Sequence, residues 1–146
     1  MNLERSIKTL SVRVNAQNQN ALDLAKFLDE NSLIKKVFYP GLVNHLSHEI
    51  ASKQMKGFGG MMSFEVTDKI NSEDFVSDLK IISPTMSLAG VESSITSPSK
   101  TSHKKVDPQI RKKLGISDNL LRFSVGIEDI EDLMLDLDKS LKNNVR

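Results

Sequence analysis

Stretches of helical and strand-like patterning alternate along the whole chain, and this constrains the fold more than any other feature of the sequence. Leu3 to Glu30 is mostly helical in pattern, with Leu22, Ala25, Phe27 and Leu28 near helical spacing and Asp23, Lys26, Asp29 and Glu30 between them. The polar run Asn15 to Asn20 weakens helix propensity and offers a place for a bend. Asn31-Ser32 ends this helix. Val37-Phe38-Tyr39 reads as a short strand stopped by the turn dipeptide Pro40-Gly41. A helix over Ser47 to Met55 follows, and then the glycine turn Gly57-Phe58-Gly59-Gly60 leads into the partly alternating strand Met61 to Val66.

The second half repeats the alternation. Asn71-Ser72-Glu73-Asp74 carries N-terminal helix signals, and Phe75, Val76, Leu79 and Ile82 supply an apolar face. Ser83 to Ser102 has little helical pattern and holds short β-type pieces around Val91 and Ile95. Asp107 followed by Pro108 predicts a helix to Leu114, ended by Gly115. Leu120 to Val125 is a strand. Glu128 to Leu141 is a final helix with Ile130, Leu133, Met134 and Leu137 on one face and acidic residues in its first turn. There is no internal repeat. A sheet covered by helices is the architecture this order implies, as one α/β domain over residues 1–146, long enough to bury a real core.

Composition removes several function classes. Twenty Lys and Arg against nineteen Asp and Glu leave a net charge of +1, without the basic excess of a nucleic-acid binder. No apolar run is long enough for a membrane span, and Met1-Asn2-Leu3-Glu4-Arg5 lacks the apolar region of a secretion signal. With no cysteine, disulfides, thiolate metal sites and a cysteine nucleophile are excluded, and a cytoplasmic location is the expectation.

Local motifs carry little chemistry alone. His45, His48 and Glu49 would share a helix face, but their order is not the zinc-protease His-Glu-x-x-His. Gly57-Phe58-Gly59-Gly60 lacks the third glycine of a dinucleotide loop and leads into a strand, so a tight turn is the better reading. Ser-x-x-Lys occurs three times, at Ser32, Ser77 and Ser97, without the companion motifs of a serine nucleophile. Arg122 says more. It interrupts an apolar strand, where a guanidinium must be paired or lie on an exposed face, and its planar fork suits a carboxylate. The long Ser/Thr-rich stretch Ser83 to His103 is of the kind that carries function more often than not, with Ser87, Ser93, Ser94 and His103 as exposed candidates for ligand contact.

Taken in order, several motifs resemble one family. They are Ile7-Lys8-Thr9-Leu10, Val37-Phe38-Tyr39-Pro40-Gly41-Leu42, Gly57-Phe58-Gly59-Gly60-Met61, Ser87-Leu88-Ala89-Gly90-Val91-Glu92-Ser93, Thr101-Ser102-His103, and Gly115 through Asp129. This pattern resembles the C-terminal domain of the Cys/Met-metabolism enzymes, the pyridoxal-phosphate enzymes that include cystathionine γ-synthase, cystathionine β- and γ-lyases and methionine γ-lyase. The resemblance implies the small domain of the aspartate-aminotransferase-type fold (fold type I), with about four mainly antiparallel strands under helices and a long N-terminal linking helix. It also implies a missing large domain that carries the Schiff-base lysine and most cofactor contacts, with Met1 close to the domain boundary. Lys100, flanked by Ser and Thr, falls where the family has a loop and is rejected as that lysine. No catalytic residue and no bound pyridoxal phosphate are then expected in this chain alone.

Residue by residue, the resemblance matches Arg122 to the arginine that grips the substrate α-carboxylate. Ser87 matches the serine near the Schiff-base nitrogen, and the backbone at Leu88 faces the same carboxylate. Met86 stands where γ-synthases and γ-lyases often have Glu, which favours β-lyase or methionine-lyase-like elimination of a sulfur amino acid. Ala89 replaces a usual glycine, a small change. The expected partners are the large domain, a sulfur amino-acid substrate and further copies of the chain, with no nucleic acid, membrane or metal. The competing reading is a non-catalytic module that docks on a separately encoded large domain or on a homologue.

Overall fold

The computed structural model describes residues 3–146; Met1 and Asn2, and with them the expected boundary at Met1, lie outside the described residues. Six helices and five strands follow the expected alternation. They are α1 (Leu3–Lys8), α2 (Leu10–Asp29), β1 (Ile34–Phe38), α3 (His48–Gln54), β2 (Met61–Val66), α4 (Ser72–Asp78), β3 (Ser83–Pro84), β4 (Ser94–Thr96), α5 (Pro108–Lys113), β5 (Leu120–Ser124) and α6 (Ile130–Asn143). The sheet order is β1-β2-β5-β4-β3. All pairs are antiparallel except β3 with β4, which run parallel. The fifth strand is a two-residue edge containing Pro84, a residue tolerated there because an edge can spare one N–H.

The N-terminal helix differs from expectation in its break point. It breaks at Thr9, not within Asn15 to Asn20. Thr9 Oγ1 donates to Ser6 O, and the Arg13 guanidinium donates to Ser6 O and to Thr9 Oγ1, offering the backbone an alternative to continuing the helix. Through Asn15 to Asn20 the helix is continuous because those side chains bond other elements. Gln17 Nε2 donates to Gly90 O, Asn18 Oδ1 accepts from Gly59 N, and Asn20 Nδ2 donates to Gly126 O and Glu128 O. The buried face of α2 is Ala21, Leu24, Ala25 and Leu28, with Leu22 and Phe27 only at its margin.

One face of the sheet is closed. Met62, Phe64 and Val66 of β2 and Leu121 and Phe123 of β5 point into it and meet α2, α4 and α6. Phe64 packs edge-to-face against Phe75 and Phe123 at centroid distances of 6.3 and 6.4 Å, the arrangement that aromatic quadrupoles prefer. Helix α4 stops at Asp78, short of the expected reach to Ile82. The Asp136 carboxylate of α6 accepts the N–H groups of Lys80, Ile81 and Ile82 at 2.9, 2.9 and 3.1 Å in a bend that follows the helix, so Ile82 enters the core from outside the helix.

Tyr39 lies just past β1 and is fully buried, its hydroxyl donating to Gly59 O at 2.9 Å. Gly59 takes a left-handed φ of +84°, which the glycine turn needs and other residues resist. Asp107 and Asp129 cap α5 and α6 through side-chain oxygens.

Candidate functional site

The opposite face of the sheet carries the candidate site. Alternation along β5 sends Leu121 and Phe123 into the core and places Arg122 on the other side. Arg122 pairs in register with Ser63 of β2 and Thr96 of β4, so small hydroxyl residues flank it. It is half-buried. Its one hydrogen bond is Nη2 to Met86 O at 2.9 Å, and among the described residues it forms no ion pair. No internal salt bridge to Arg122 occurs among the described residues, which leaves an exposed strand face or a grip on a ligand carboxylate. A guanidinium has five N–H donors in a planar fork, so most of this one's capacity faces outward and suits a carboxylate.

The neighbouring lysines are engaged. Lys35 pairs with Glu65 at 3.2 Å, and Lys36 sits 5.0 Å above the Phe38 ring. The Arg111 guanidinium makes the contrast: its side chain is 15% exposed and bonded to Ser99 O and Asp118.

Beside Arg122 runs the loop from Thr85 to Glu92, whose side chains at Met86, Ser87 and Leu88 are exposed. Its backbone is fastened at five successive points. Met86 O accepts from Arg122, Ser87 O from Ser94 Oγ, Gly90 O from Gln17 Nε2 and Val91 O from Ile127 N, while Ala89 N donates to Ser124 Oγ. Fixed backbone and free side chains are what a presenting loop requires. Gly126 is needed for this closeness, since a Cβ there would lie 2.3 Å from Val91 O.

Ala89 has φ +59°, the left-handed region that costs a non-glycine residue about 1–2 kcal/mol. Alanine at this position is therefore not a small matter for the backbone, although the resemblance alone reads it as a small change.

The structure separates the other candidates. Ser87 is exposed beside Arg122, as expected. Ser93 and Ser94 are buried, against expectation, and act as fasteners. Ser93 N and Oγ donate to the Glu128 carboxylate at 2.5 and 2.9 Å, and Ser93 Oγ accepts from Gly126 N. His103 belongs to a turn, its backbone N–H on Pro98 O and its ring against Ser102 Oγ. Lys100 pairs with Glu73 of α4 at 2.6 Å, and that hydrogen bond raises its pKa, the opposite of what a nucleophilic amine needs. His48 stacks on Phe58 with Nδ1 on Pro40 O, and no cluster of metal-ligating side chains occurs among the described residues. Gln17, Ser124 and Glu128 escaped sequence reasoning; the polar run around Gln17 was their one visible sign.

The chain is 46% identical over 140 residues to cystathionine beta-lyase of Lactococcus lactis subsp. cremoris, covering 96% of this chain and 37% of that protein. It is 46% identical over 138 residues to cystathionine gamma-lyase of Dictyostelium discoideum, covering 94% and 36%. The crystal structure of cystathionine gamma-lyase from Lactobacillus plantarum complexed with L-serine superposes with a TM-score of 0.91 at 37% identity, over 96% of this chain and 37% of that one. The chain thus spans little more than a third of the length of these relatives. The family described as "Cys/Met metabolism PLP-dependent enzyme" matches residues 1–142. A mixed sheet and helix layer shared with solved lyases, and a family match over nearly every residue, place this chain in the Cys/Met metabolism family of pyridoxal-phosphate-dependent enzymes.

Proposed function

We propose that this chain is the substrate-side, C-terminal domain of a pyridoxal-phosphate-dependent enzyme that works on sulfur amino acids. The observation that carries the reading is Arg122, a half-buried guanidinium on the open sheet face with no ion-pair partner among the described residues. In this reading Arg122 grips the amino acid's α-carboxylate, and the Ser87–Leu88 backbone borders it. Holding the amino acid by its acid end fixes the orientation of its Cα, which lowers the entropic part of the barrier.

The donor set of this chain fits that carboxylate and does not fit the cofactor. Its phosphate needs several converging N–H donors, and its aldehyde needs a lysine of lowered pKa. Lys100, the lysine with the right neighbours in sequence, is paired and shifted upward. The cofactor therefore belongs to a large domain outside this chain, where it supplies an electron sink for charge developing on the amino acid. By this reading the chain alone is inactive, and the intact enzyme is an oligomer in the cytoplasm.

Met86 supports a finer choice. Its exposed thioether accepts hydrogen bonds weakly and cannot pair with an ammonium group at the substrate's far end. This favours elimination, as in a cystathionine β-lyase or methionine γ-lyase, over chemistry that relies on an acidic residue there.

The test is twofold. Incubating the chain with pyridoxal phosphate, reducing with borohydride and weighing it should leave no single lysine labelled stoichiometrically. The chain assembled with its cofactor-binding part should then release product from a sulfur amino acid, and Arg122→Ala should remove most of that turnover. Stoichiometric labelling of Lys100, or full activity without Arg122, would sink the reading.

A further inference from the structure

We infer that Gln17 is a positioning residue for the Arg122 face. Its amide clamps the Gly90 peptide and, with Ser124, holds Ala89 in the left-handed conformation that decides how the Ser87–Leu88 backbone meets a carboxylate. This rests on reading that face as a carboxylate site.

Gln17 sits on α2, far from the loop in sequence, and is 8% exposed. A buried position on a helix face is ordinarily apolar, and an amide there is tolerated only when bonded. Its Nε2 donates to Gly90 O at 2.7 Å. Its stem packs on the glycine turn, since a Cβ on Gly60 would lie 3.1 Å from Gln17 Cβ. Gly60 O in turn accepts from Val125 N at 2.8 Å, directly after Ser124. Gln17 is thereby wedged between the glycine turn, the end of β5 and the loop.

Ala89 is the sole non-glycine residue with positive φ among the described residues, and it is exposed, so packing does not force it there. A residue persists in that region only where its surroundings over-determine it. Here two bonds do so, one on each side. Ala89 N donates to Ser124 Oγ at 2.9 Å, and the next carbonyl, Gly90 O, receives Gln17. Without the Gln17 bond Ala89 returns to negative φ and the preceding peptides rotate. Because Met86 O holds Arg122 Nη2, that rotation reaches the guanidinium as well.

The experiment uses the enzyme assembled from this chain and its cofactor-binding part. Gln17→Met keeps the side-chain length and deletes the donor. It should raise KM for the sulfur amino acid about tenfold with a smaller fall in kcat, because the grip that binds the carboxylate also orients Cα. Adding Ala89→Gly should restore most of the lost affinity, because glycine takes the left-handed conformation without a clamp. A general loss of structure would not be rescued this way. Gln17→Glu, which keeps the shape and cannot donate when ionised, stands in should Gln17→Met fold poorly.

Hydrogen exchange reads the clamp without catalysis: the Ala89 amide should lose protection in Gln17→Met. An unchanged KM, no rescue by Ala89→Gly, or an Ala89 amide equally protected overturns the proposal. A wild-type assembly that turns over no sulfur amino acid sinks the carboxylate reading instead, leaving the exchange result to judge the clamp.

Discussion

The two faces of the central sheet are made by the same strands, one residue apart, and they obey different rules. On the closed face Phe64, Phe123 and Leu121 are fully buried, and polar groups admitted there are bonded. Asp136 accepts three backbone N–H groups, and Ser140 Oγ donates to Phe75 O at 2.6 Å. On the open face Arg122 keeps most of its donors free, and the adjoining loop exposes Met86, Ser87 and Leu88. The closed face spends its side chains on stability. The open face leaves hydrogen-bond donors that the fold does not consume.

The sharpest way to break this comparison is a pair of substitutions on adjacent residues. Phe123→Ala should cost about 3–5 kcal/mol of stability through the cavity it leaves. Arg122→Ala, which loses one hydrogen bond to Met86 O on a half-buried side chain, should cost only about 1–2 kcal/mol while abolishing most carboxylate binding. Denaturant melts of both variants decide it, and similar losses would mean that the open face is also structural. A step smaller is Asp136→Asn, which sets an amide N–H₂ against backbone donors in place of a charged acceptor. It should cost about 2–3 kcal/mol.

On the open face, Met86→Glu in the assembled enzyme should raise turnover of cystathionine relative to methionine by about tenfold, roughly 1.4 kcal/mol. An unchanged ratio would remove position 86 from the determinants of specificity. The last effect is alkaline. Burial first, and the Asp23 carboxylate second, push the Tyr39 hydroxyl up to about 12. The unfolded group titrates near pH 10, so the folded chain holds this proton longer. Its contribution is intact below about pH 10 and falls away between about 10 and 12. Tyr39 is the sole tyrosine, so an ultraviolet titration reads it directly, and a midpoint near 10 in the folded chain would contradict its burial.

Much of this was legible before any coordinates. The alternation of elements survives, as do the Asp107-Pro108 helix start, the Gly115 stop and the strand around Arg122. Arg122 is legible as an anomaly because a charge inside an apolar strand violates the local pattern and demands a reason. The glycine turn was also legible, as a turn rather than a phosphate loop, since Gly59 takes positive φ.

Other features were legible only in part or misleading. Asn15 to Asn20 read as weak helix, yet the helix is continuous there because its amides bond distant loops. Ser93 and Ser94 read as exposed, yet they are buried fasteners. Ile82 reads as a helix residue, yet α4 ends at Asp78 and Asp136 bonds the Ile82 N–H in the bend beyond it.

Sequence alone determined the order of helices and strands, the caps and stops, the apolar faces in outline and the anomaly at Arg122. These follow from backbone sterics and residue periodicity, which act over a few neighbouring positions. Tertiary structure alone decided that β3 joins the sheet parallel, that Arg122 finds no internal acid, and that Ala89 is held left-handed from both sides. Each depends on partners brought together from distant parts of the chain, as Gln17 and Gly90 are across 73 positions. No local spacing encodes such a meeting, because a side-chain hydrogen bond is set by where the packed elements place its donor and acceptor.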